Sequence, residues 1–227
     1  MTATIPPPEP GTDWVAPERG HEFIWLPQLR FWVAKHAVAN DEFRQFRPAH
    51  DSGEFEGATL NDDRQPVANV SYNDALDYCQ WLRKRLCDAC DRPALVVRLP
   101  SHMEWTQIAA CGLDKLYPWG NDWPPAYGNY GDQAAKEVFP DWDVIEDYND
   151  GSAVSCPVDE AGENEWGLVG VAGNVYEWTF VAGSDQTELR GGSWSTYQPE
   201  YMELRNRLRR EPTSRLVNFG FRLLLTV

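Results

Sequence analysis

The stretch that decides the fold lies in the last third of the chain and reads Gly173-Asn174-Val175-Tyr176-Glu177-Trp178. It is preceded by Glu163-Asn164-Glu165-Trp166-Gly167-Leu168 and followed by Arg190-Gly191-Gly192-Ser193-Trp194 and Asn218-Phe219-Gly220-Phe221-Arg222. Aromatic and β-branched residues between glycine turn signals are typical of short strands. We expect strands over 175–181, 188–194, 204–209 and 221–227.

Helical signals stand earlier in the chain. Ser71 is followed three residues later by Asp74, a capping-box pattern that predicts a long helix to about residue 91. Ser101 and Glu104 form the full Ser-x-x-Glu pattern and predict a second helix after a short strand over 95–99. Asn40 is expected to cap a short helix over 41–47 that ends before a proline.

The middle of the chain, residues 117–157, has little periodicity and many turn signals. An acidic set crowds it: Asp132, Asp141, Asp143, Glu146, Asp147 and Asp150. A structureless stretch of this length is unusual in a folded domain. The stretch is either a solvated acidic loop or a segment that an oxygen-binding cation orders.

Composition bounds the function. The 227 residues carry a formal charge of −15, which argues against general nucleic-acid binding. No stretch reaches the roughly 20 apolar residues of a membrane helix, so we expect no membrane partner. Five cysteines, an odd number, and no signal-peptide pattern predict a cytoplasmic setting. We expect a flexible tail over 1–20 and one domain over 21–227.

The quoted motifs form an ordered set with three earlier segments, Val38–Phe43, Pro66–Leu82 and Arg98–Gly120. Read together, they resemble the formylglycine-generating enzyme or sulfatase-modifying-factor family from about residue 22 onward. The resemblance implies an α+β, C-type-lectin-like single domain with two helices, short twisted strands and much irregular backbone.

The resemblance also bears on catalysis. The family's oxidases hold copper with two cysteines in the segment after Gly-Gly-Ser, because Cu(I) prefers thiolates. Those positions fall on Thr196 and Tyr201, and no cysteine follows Cys156. We therefore expect no copper and no oxidase activity. The alternative, an oxidoreductase of the formylglycine-generating type acting on a protein cysteine, would need another set of ligands.

The resemblance implies two calcium sites. The first falls on the side chains of Asn129 and Asp150 and the backbone oxygens of Tyr130 and Ser152. The second falls on a set that offers one carboxylate and no asparagine: Gly170, Gly173, Val175 and Glu177. Calcium takes oxygen ligands, so the first set suits it, whereas the second is a weak cage.

Residues 195–219 also resemble the variable segment of diversity-generating retroelement proteins, which diversify a ligand-binding face on this fold. The candidate ligand-binding residues are those that mutated asparagine codons can encode: Ser195, Thr196, Tyr197, Tyr201, Leu204, Asn206, Leu208, Thr213, Ser214, Leu216 and Val217. Arginines at 205, 207 and 209 alternate with them and predict a strand with three arginines on one face. In the alternative reading, Leu204 and Leu208 are core residues of a half-buried strand.

These observations predict a non-catalytic protein that binds a protein or other macromolecular ligand through its C-terminal face. A fixed accessory or interaction domain remains the other non-enzymatic alternative.

Overall fold

The computed structural model describes residues 6–16 and 20–227. Its helices are α1 (Asn40–Arg44), α2 (Tyr72–Cys90), α3 (His102–Ala110), α4 (Gln133–Val138) and α5 (Pro199–Met202). Its strands are β1 (Trp14–Val15), β2 (Glu22–Leu26), β3 (Phe31–Ala34), β4 (Glu54–Phe55), β5 (Ala58–Thr59), β6 (Val96–Arg98), β7 (Tyr176–Phe180), β8 (Thr187–Arg190), β9 (Leu208–Arg210), β10 (Phe219–Gly220) and β11 (Leu224–Thr226).

The larger sheet joins the two ends of the domain. Its strand order is β1-β2-β3-β11-β6, and every neighbouring pair is antiparallel. Leu224 of β11 pairs with Val33 on one side and with Arg98 on the other. The last strand in sequence is therefore an inner strand of this sheet.

The smaller sheet carries the segment that the sequence singled out. Its order is β10-β7-β8-β9, with β10 parallel to β7 and the other pairs antiparallel; β4 and β5 form a separate hairpin. The main apolar core contains residues of α2, of the five-stranded sheet and of the four-stranded sheet. Trp32 and Trp178 are fully buried in it. The indole N–H of Trp178 donates to the carbonyl of Val70 at 3.0 Å.

The two long helices begin where the sequence predicts. The Ser71 hydroxyl accepts from the N–H of Asp74, and the Asp74 carboxylate accepts from the N–H of Ser71. Ser101 and Glu104 form the same reciprocal cap at α3. Both predictions succeed because a capping box is a local pattern that needs no distant partner.

The short helix α1 differs from its prediction. Its N-cap is Ala39, whose N–H donates to the Glu42 carboxylate at 2.8 Å, and it ends at Arg44 rather than residue 47. The amide of Asn40 instead donates to the carbonyls of Leu60 and Asp62. Asn40 thus ties α1 to a distant loop, a role that local spacing could not indicate.

The expected tail boundary is also corrected. Residues 1–5 and 17–19 lie outside the described residues, but Trp14 pairs with Phe23 and is only 9% exposed. The indole N–H of Trp32 donates to the carbonyl of Thr12 at 2.8 Å. The ordered domain therefore begins before residue 21, because burial of the Trp14 ring outweighs the proline-rich local composition.

Two of the predicted strands are shorter in the structure than the sequence suggests. The strand expected over 188–194 ends at Arg190, since Gly191 and Gly192 adopt φ values of +96° and +77°. The strand expected over 204–209 is reduced to the three residues of β9. Within the described residues, no helix is both long and apolar enough to cross a membrane.

Candidate functional site

The start of segment 195–219 is anchored by Arg190 at the end of β8. Its side chain is buried, donates to the carbonyl oxygens of His102 and Leu204, and lies over the indole of Trp105. Burial, and then the positive charge of Arg207, lower the pKa of Arg190 to about 10. The anchor therefore remains a cation at neutral pH.

The end of the segment is anchored by Arg222. Its guanidinium forms an ion pair with Glu177 at 2.8 Å and donates to the carbonyls of Ala34, Lys35 and Val169. Both ends of the segment are thus joined to buried arginines, which fix the scaffold around it.

The eleven candidate ligand-binding residues occupy three environments. Tyr201, Thr213 and Leu216 are exposed, and Thr196 and Leu204 are buried. The remainder are half-buried: Ser195, Tyr197, Asn206, Leu208, Ser214 and Val217. Three of the eleven candidates are therefore exposed, six are half-buried and two are inaccessible.

Thr196 and Leu204 do not belong to an accessible face. The Thr196 hydroxyl accepts from the N–H of Ser193 at 3.0 Å and lies 3.3 Å from the Tyr176 hydroxyl. Leu204 packs in the same apolar cluster as Trp105. The alternative reading of Leu204 as a core residue is the correct one, and Leu208 is half-buried against the main core.

The two tyrosines differ in exposure. Tyr201, in α5, is 44% exposed. Tyr197 is half-buried against the cluster that contains Tyr117 and Met202, and its hydroxyl donates to Asp143 at 3.4 Å. Both rings reach the surface on a short, anchored piece of backbone, as a contact residue requires.

The predicted row of three arginines is replaced by separate ion pairs. Arg205 pairs with Glu203, and Arg209 pairs with the buried Glu188 at 3.3 Å. Arg207 lies outside the short strand β9. The alternation predicts a strand over 204–209, whereas only residues 208–210 pair with β8.

The cysteines of the chain stand at other positions than 196 and 201, where the resemblance places the oxidase thiols. All five are free, and four of them, Cys79, Cys90, Cys111 and Cys156, are buried. Burial raises the pKa of Cys111 and Cys156 to about 11, so these thiols are protonated at neutral pH. Protonated, buried thiols are poor nucleophiles and poor metal ligands.

The residues of the first predicted calcium site do come together. Asn129, Asp150 and Ser152 line a cavity of about 220 Å³. The Asp150 carboxylate accepts from the backbone N–H groups of Tyr130 (2.8 Å) and Ser152 (2.9 Å). The Asn129 amide donates to the Val154 carbonyl, but its Oδ1 is buried without a hydrogen-bond partner. An unpaired amide oxygen beside a carboxylate fits an oxygen-seeking cation.

Sequence reasoning did not assign a role in this site to Asp132. Asp132 is fully buried, caps α4 through Oδ1 and accepts from the N–H of Asp150 through Oδ2. Burial raises the pKa of Asp150 to about 7, and the charge of Asp132 adds to the rise. In the sequence, Asp132 is one of several acids in residues 117–157. Nothing in that pattern distinguishes it from the neighbouring acids that are exposed to solvent.

The second predicted calcium set does not fit a cation. Glu177 Oε1 is paired with Arg222, and Oε2 accepts from the Trp105 indole at 2.8 Å. Gly173, at φ +79°, allows a close approach in which an added Cβ would collide with the carbonyl of Asn129. Glu177 is therefore a structural partner of an arginine.

Residues 11–227 match the family model described as a sulfatase-modifying factor enzyme 1-like domain. The chain belongs to this family. The C-type-lectin-like fold expected from the sequence motifs is confirmed.

Two relatives show the breadth of the sulfatase-modifying-factor family. The chain is 38% identical over 124 residues to a formylglycine-generating enzyme of Thermomonospora curvata, covering 54% of this chain and 35% of that protein. It is 33% identical over 221 residues to the inactive C-alpha-formylglycine-generating enzyme 2 of Mus musculus, covering 92% of this chain and 62% of that protein. The chain thus spans about one third to two thirds of the length of these relatives.

Two solved structures share the fold. PvdO from Pseudomonas aeruginosa superposes with a TM-score of 0.68 at 18% identity, over 97% of this chain and 100% of that one. Variable protein 1 of Treponema denticola superposes with a TM-score of 0.61 at 18% identity, over 95% and 92%. At this identity the likeness shows the fold alone.

Proposed function

We propose that this sulfatase-modifying-factor family domain is a non-enzymatic binding protein that presents segment 195–219 to a protein or other macromolecular ligand. The observation that carries the proposal is the replacement of both oxidase cysteine positions. Thr196 is a buried hydroxyl with hydrogen-bond partners, and Tyr201 is an exposed phenol. Neither side chain supplies the thiolate that Cu(I) prefers.

The geometry of the segment supports a display role. Tyr201, Thr213 and Leu216 are exposed, while buried Arg190 and Arg222 hold the backbone at either end. A tyrosine on a rigid scaffold offers a large contact area at a small cost in side-chain entropy. A ligand-binding surface needs a fixed backbone that carries exposed side chains of different kinds, and the two buried arginines and the residues between them provide this arrangement.

Two of the similar proteins are consistent with this role. The mouse relative is named as inactive, and it matches 92% of this chain. The Treponema denticola neighbour is named a variable protein and has the same fold. We extend both properties to this chain by proposal: it is inactive as an oxidase, and its C-terminal face is diversified.

Calcium is the cofactor that we propose for the scaffold. Asn129 Oδ1, the Asp150 carboxylate and the backbone oxygens of Tyr130 and Ser152 would hold it, and the charge of Asp150 would then be balanced. We expect the protein in the cytoplasm, where its free thiols would remain reduced.

A formylglycine-generating oxidase is the second candidate, and the 38% identity to the Thermomonospora curvata enzyme favours it. Incubation of the purified protein with copper, dioxygen as the oxidant, a thiol reductant and a sulfatase-motif peptide tests it. Conversion of the peptide cysteine to formylglycine would establish the oxidase and overturn the binding proposal.

The test of diversification is genetic. DNA flanking the gene is sequenced and searched for a near-copy of the codons for residues 190–222. A copy whose mismatches fall at adenines, beside a reverse transcriptase, is the expected result. If both are missing, the chain is a fixed accessory domain.

A further inference from the structure

Segment 205–215 carries a positive charge that the rest of the chain does not share. Arg205, Arg207, Arg209, Arg210 and Arg215 are all exposed, and Glu211 is the one acid among them. Five arginines against one glutamate give the segment a charge of +4 in a chain of −15. We refer to these five residues as the arginine edge.

Three members of the arginine edge are neutralised within the domain. Arg205 pairs with Glu203, and Arg209 pairs with Glu188, whose carboxylate is fully buried. Arg215 pairs with Asp74 at the start of α2, at 2.8 Å. An incoming anion would have to break these pairs to use the three arginines.

The other two members remain available. Neither Arg207 nor Arg210 forms an ion pair with any of the described residues, and both are exposed. Arg210 donates only to the carbonyl of Arg209, at 2.9 Å. Arg207 adds its positive charge to that of the buried Arg190, which has three neutral hydrogen-bond acceptors. An acidic ligand beside Arg207 would offset this repulsion.

The backbone between these two arginines is an edge strand. β9 pairs with β8 on one side, and no other described strand covers its outer side. Leu208 faces the main core and Arg209 faces Glu188, so successive side chains alternate between the two faces of the sheet. A groove of about 420 Å³ lies beside β9, and its lining includes Arg209 and Arg210 together with the acids Asp185 and Glu211. The acidic ligand is therefore placed along the strand edge between Arg207 and Arg210, and not in this groove.

We propose that the outer edge of β9 docks an extended acidic segment of a partner protein, which adds to the sheet as a further strand between Arg207 and Arg210. An added strand supplies main-chain hydrogen bonds, and its alternating side chains reach both faces of the edge. Carboxylates at those positions would meet one unpaired arginine on each face. The proposal rests on the proposed function, since it names the partner class for the same segment.

Charged side chains on an edge strand also disfavour its pairing with strands of other molecules. A second copy of β9 would place its own arginines against these, and like charges directly opposite are destabilising. A nucleic acid would extend beyond the arginine edge and meet the remaining acidic surface of the chain. A short acidic peptide segment is the partner that satisfies both constraints.

The test uses a fluorescein-labelled peptide of eight residues, threonine except for two glutamates three residues apart, so that the two carboxylates lie on opposite faces of the added strand. Its binding to the full chain is followed by fluorescence anisotropy. We expect binding that weakens as salt is raised, since the exposed charges become screened. The double variant Arg207→Gln/Arg210→Gln should bind about three- to twentyfold more weakly, as expected for two exposed ion pairs. Arg92→Gln, an exposed arginine beyond the end of α2, is the matched control and should bind like the unchanged protein.

Two further peptides test the mode of binding. A peptide with lysine in place of glutamate should not bind, and methylation of alternate backbone nitrogens on the hydrogen-bonded edge should abolish binding of the acidic peptide. Equal binding of the lysine peptide, or an unchanged affinity of the double variant, would overturn the proposal. Tighter binding of a single-stranded DNA oligomer would overturn it in favour of a nucleic-acid partner.

The outcomes also separate this proposal from the display function. A template copy in the genome together with no binding of the acidic peptide refutes only the acidic partner. Binding of the peptide without a template copy supports the docking edge and refutes only diversification.

Discussion

Glu177 and Arg222 form an ion pair inside the core, with 2.8 Å between Oε1 and Nη2 and at most 1% of either side chain exposed. The pair joins β7 to the residues that follow β10, and so links the strand before segment 195–219 to the chain just after it. Trp105 completes the hydrogen bonding of the carboxylate. A buried pair of this kind depends on both partners.

Glu177→Gln should lower the free energy of unfolding by about 3–5 kcal/mol, because it leaves the Arg222 cation buried without a counter-charge. Chemical denaturation measures the change. The control is Glu22→Gln, which removes the carboxylate of a surface pair with Lys35 at 3.1 Å. That control should cost at most about 1 kcal/mol; equal losses would contradict the role given to the buried pair.

Two leucines from the predicted face provide a matched comparison. Leu204→Ala should cost about 2–5 kcal/mol, since it opens a cavity beside Trp105. Leu216→Ala, at a side chain that is 50% exposed, should change stability by about 0.5 kcal/mol or less. Thermal and denaturant unfolding of the two variants tests which positions can vary. Equal costs would mean that exposure does not determine tolerance here.

Calcium should stabilise the domain, by about 2.7 kcal/mol at a concentration one hundredfold above its dissociation constant. The measurement is the unfolding temperature with calcium and with a chelator. Asp150→Asn should abolish the difference, while the exposed Asp147→Asn should preserve it. A chelator without effect on the unchanged protein would reject the site.

The same site predicts a pH dependence. The pKa of Asp150 is raised from its usual value of 3.8 to about 7, so the folded protein holds this proton more tightly than the unfolded chain does. Without calcium, this group should therefore make stability fall as pH rises from about 4 to 7. Calcium should remove the decline, and so should Asp150→Asn. If the calcium-free protein and its Asp150→Asn variant show the same change in stability over this range, the assignment is contradicted.

Asp74 connects the start of α2 to the C-terminal segment. Its carboxylate contacts Ser71, Arg47 and Arg215, and these partners hold its pKa well below the usual range despite burial. Asp74→Asn should cost about 1–3 kcal/mol, and the contribution of Asp74 should be present above its usual pKa and disappear on acidification. The measurement is urea unfolding at several pH values.

The control for Asp74 is Asp77→Asn, because Asp77 also pairs with Arg47 but is 58% exposed. Hydrogen exchange at Asn73, whose N–H donates to the Pro212 carbonyl, should rise in Asp74→Asn alone. An unchanged exchange rate would show that Asp74 does not hold the segment.

The sequence predicts correctly those features that depend on interactions between residues close together in the chain, such as the starts of helices. Ser71 and Ser101 begin helices because each cap is completed within three residues. The proline-rich composition around Trp14 indicates a tail, whereas its pairing with Phe23 and its hydrogen bond to the Pro6 carbonyl exist only in the folded chain. The family resemblance places Glu177 in a calcium set, whereas its partner in the structure is Arg222, 45 residues away, which local spacing does not indicate.

The candidate site likewise contains residues that the sequence can identify and residues whose role depends on packing. Asn129 and Asp150 could be brought together through a family resemblance, and the structure does place them around one cavity. The roles of Thr196 and Leu204 could not be separated from that of Tyr201, since a residue's type does not reveal which face of a short, irregular backbone it occupies. Only the packing against Trp105 and Tyr176 decides it.

The inner position of β11 restricts how the chain can change during evolution. Residues 224–226 come after segment 195–219, yet they form the strand between β3 and β6. A frameshift or stop codon anywhere in that segment would remove an inner strand along with the surface residues. Codon-for-codon replacement that keeps the reading frame leaves the strand intact. Any change in this surface must therefore preserve the reading frame as far as β11.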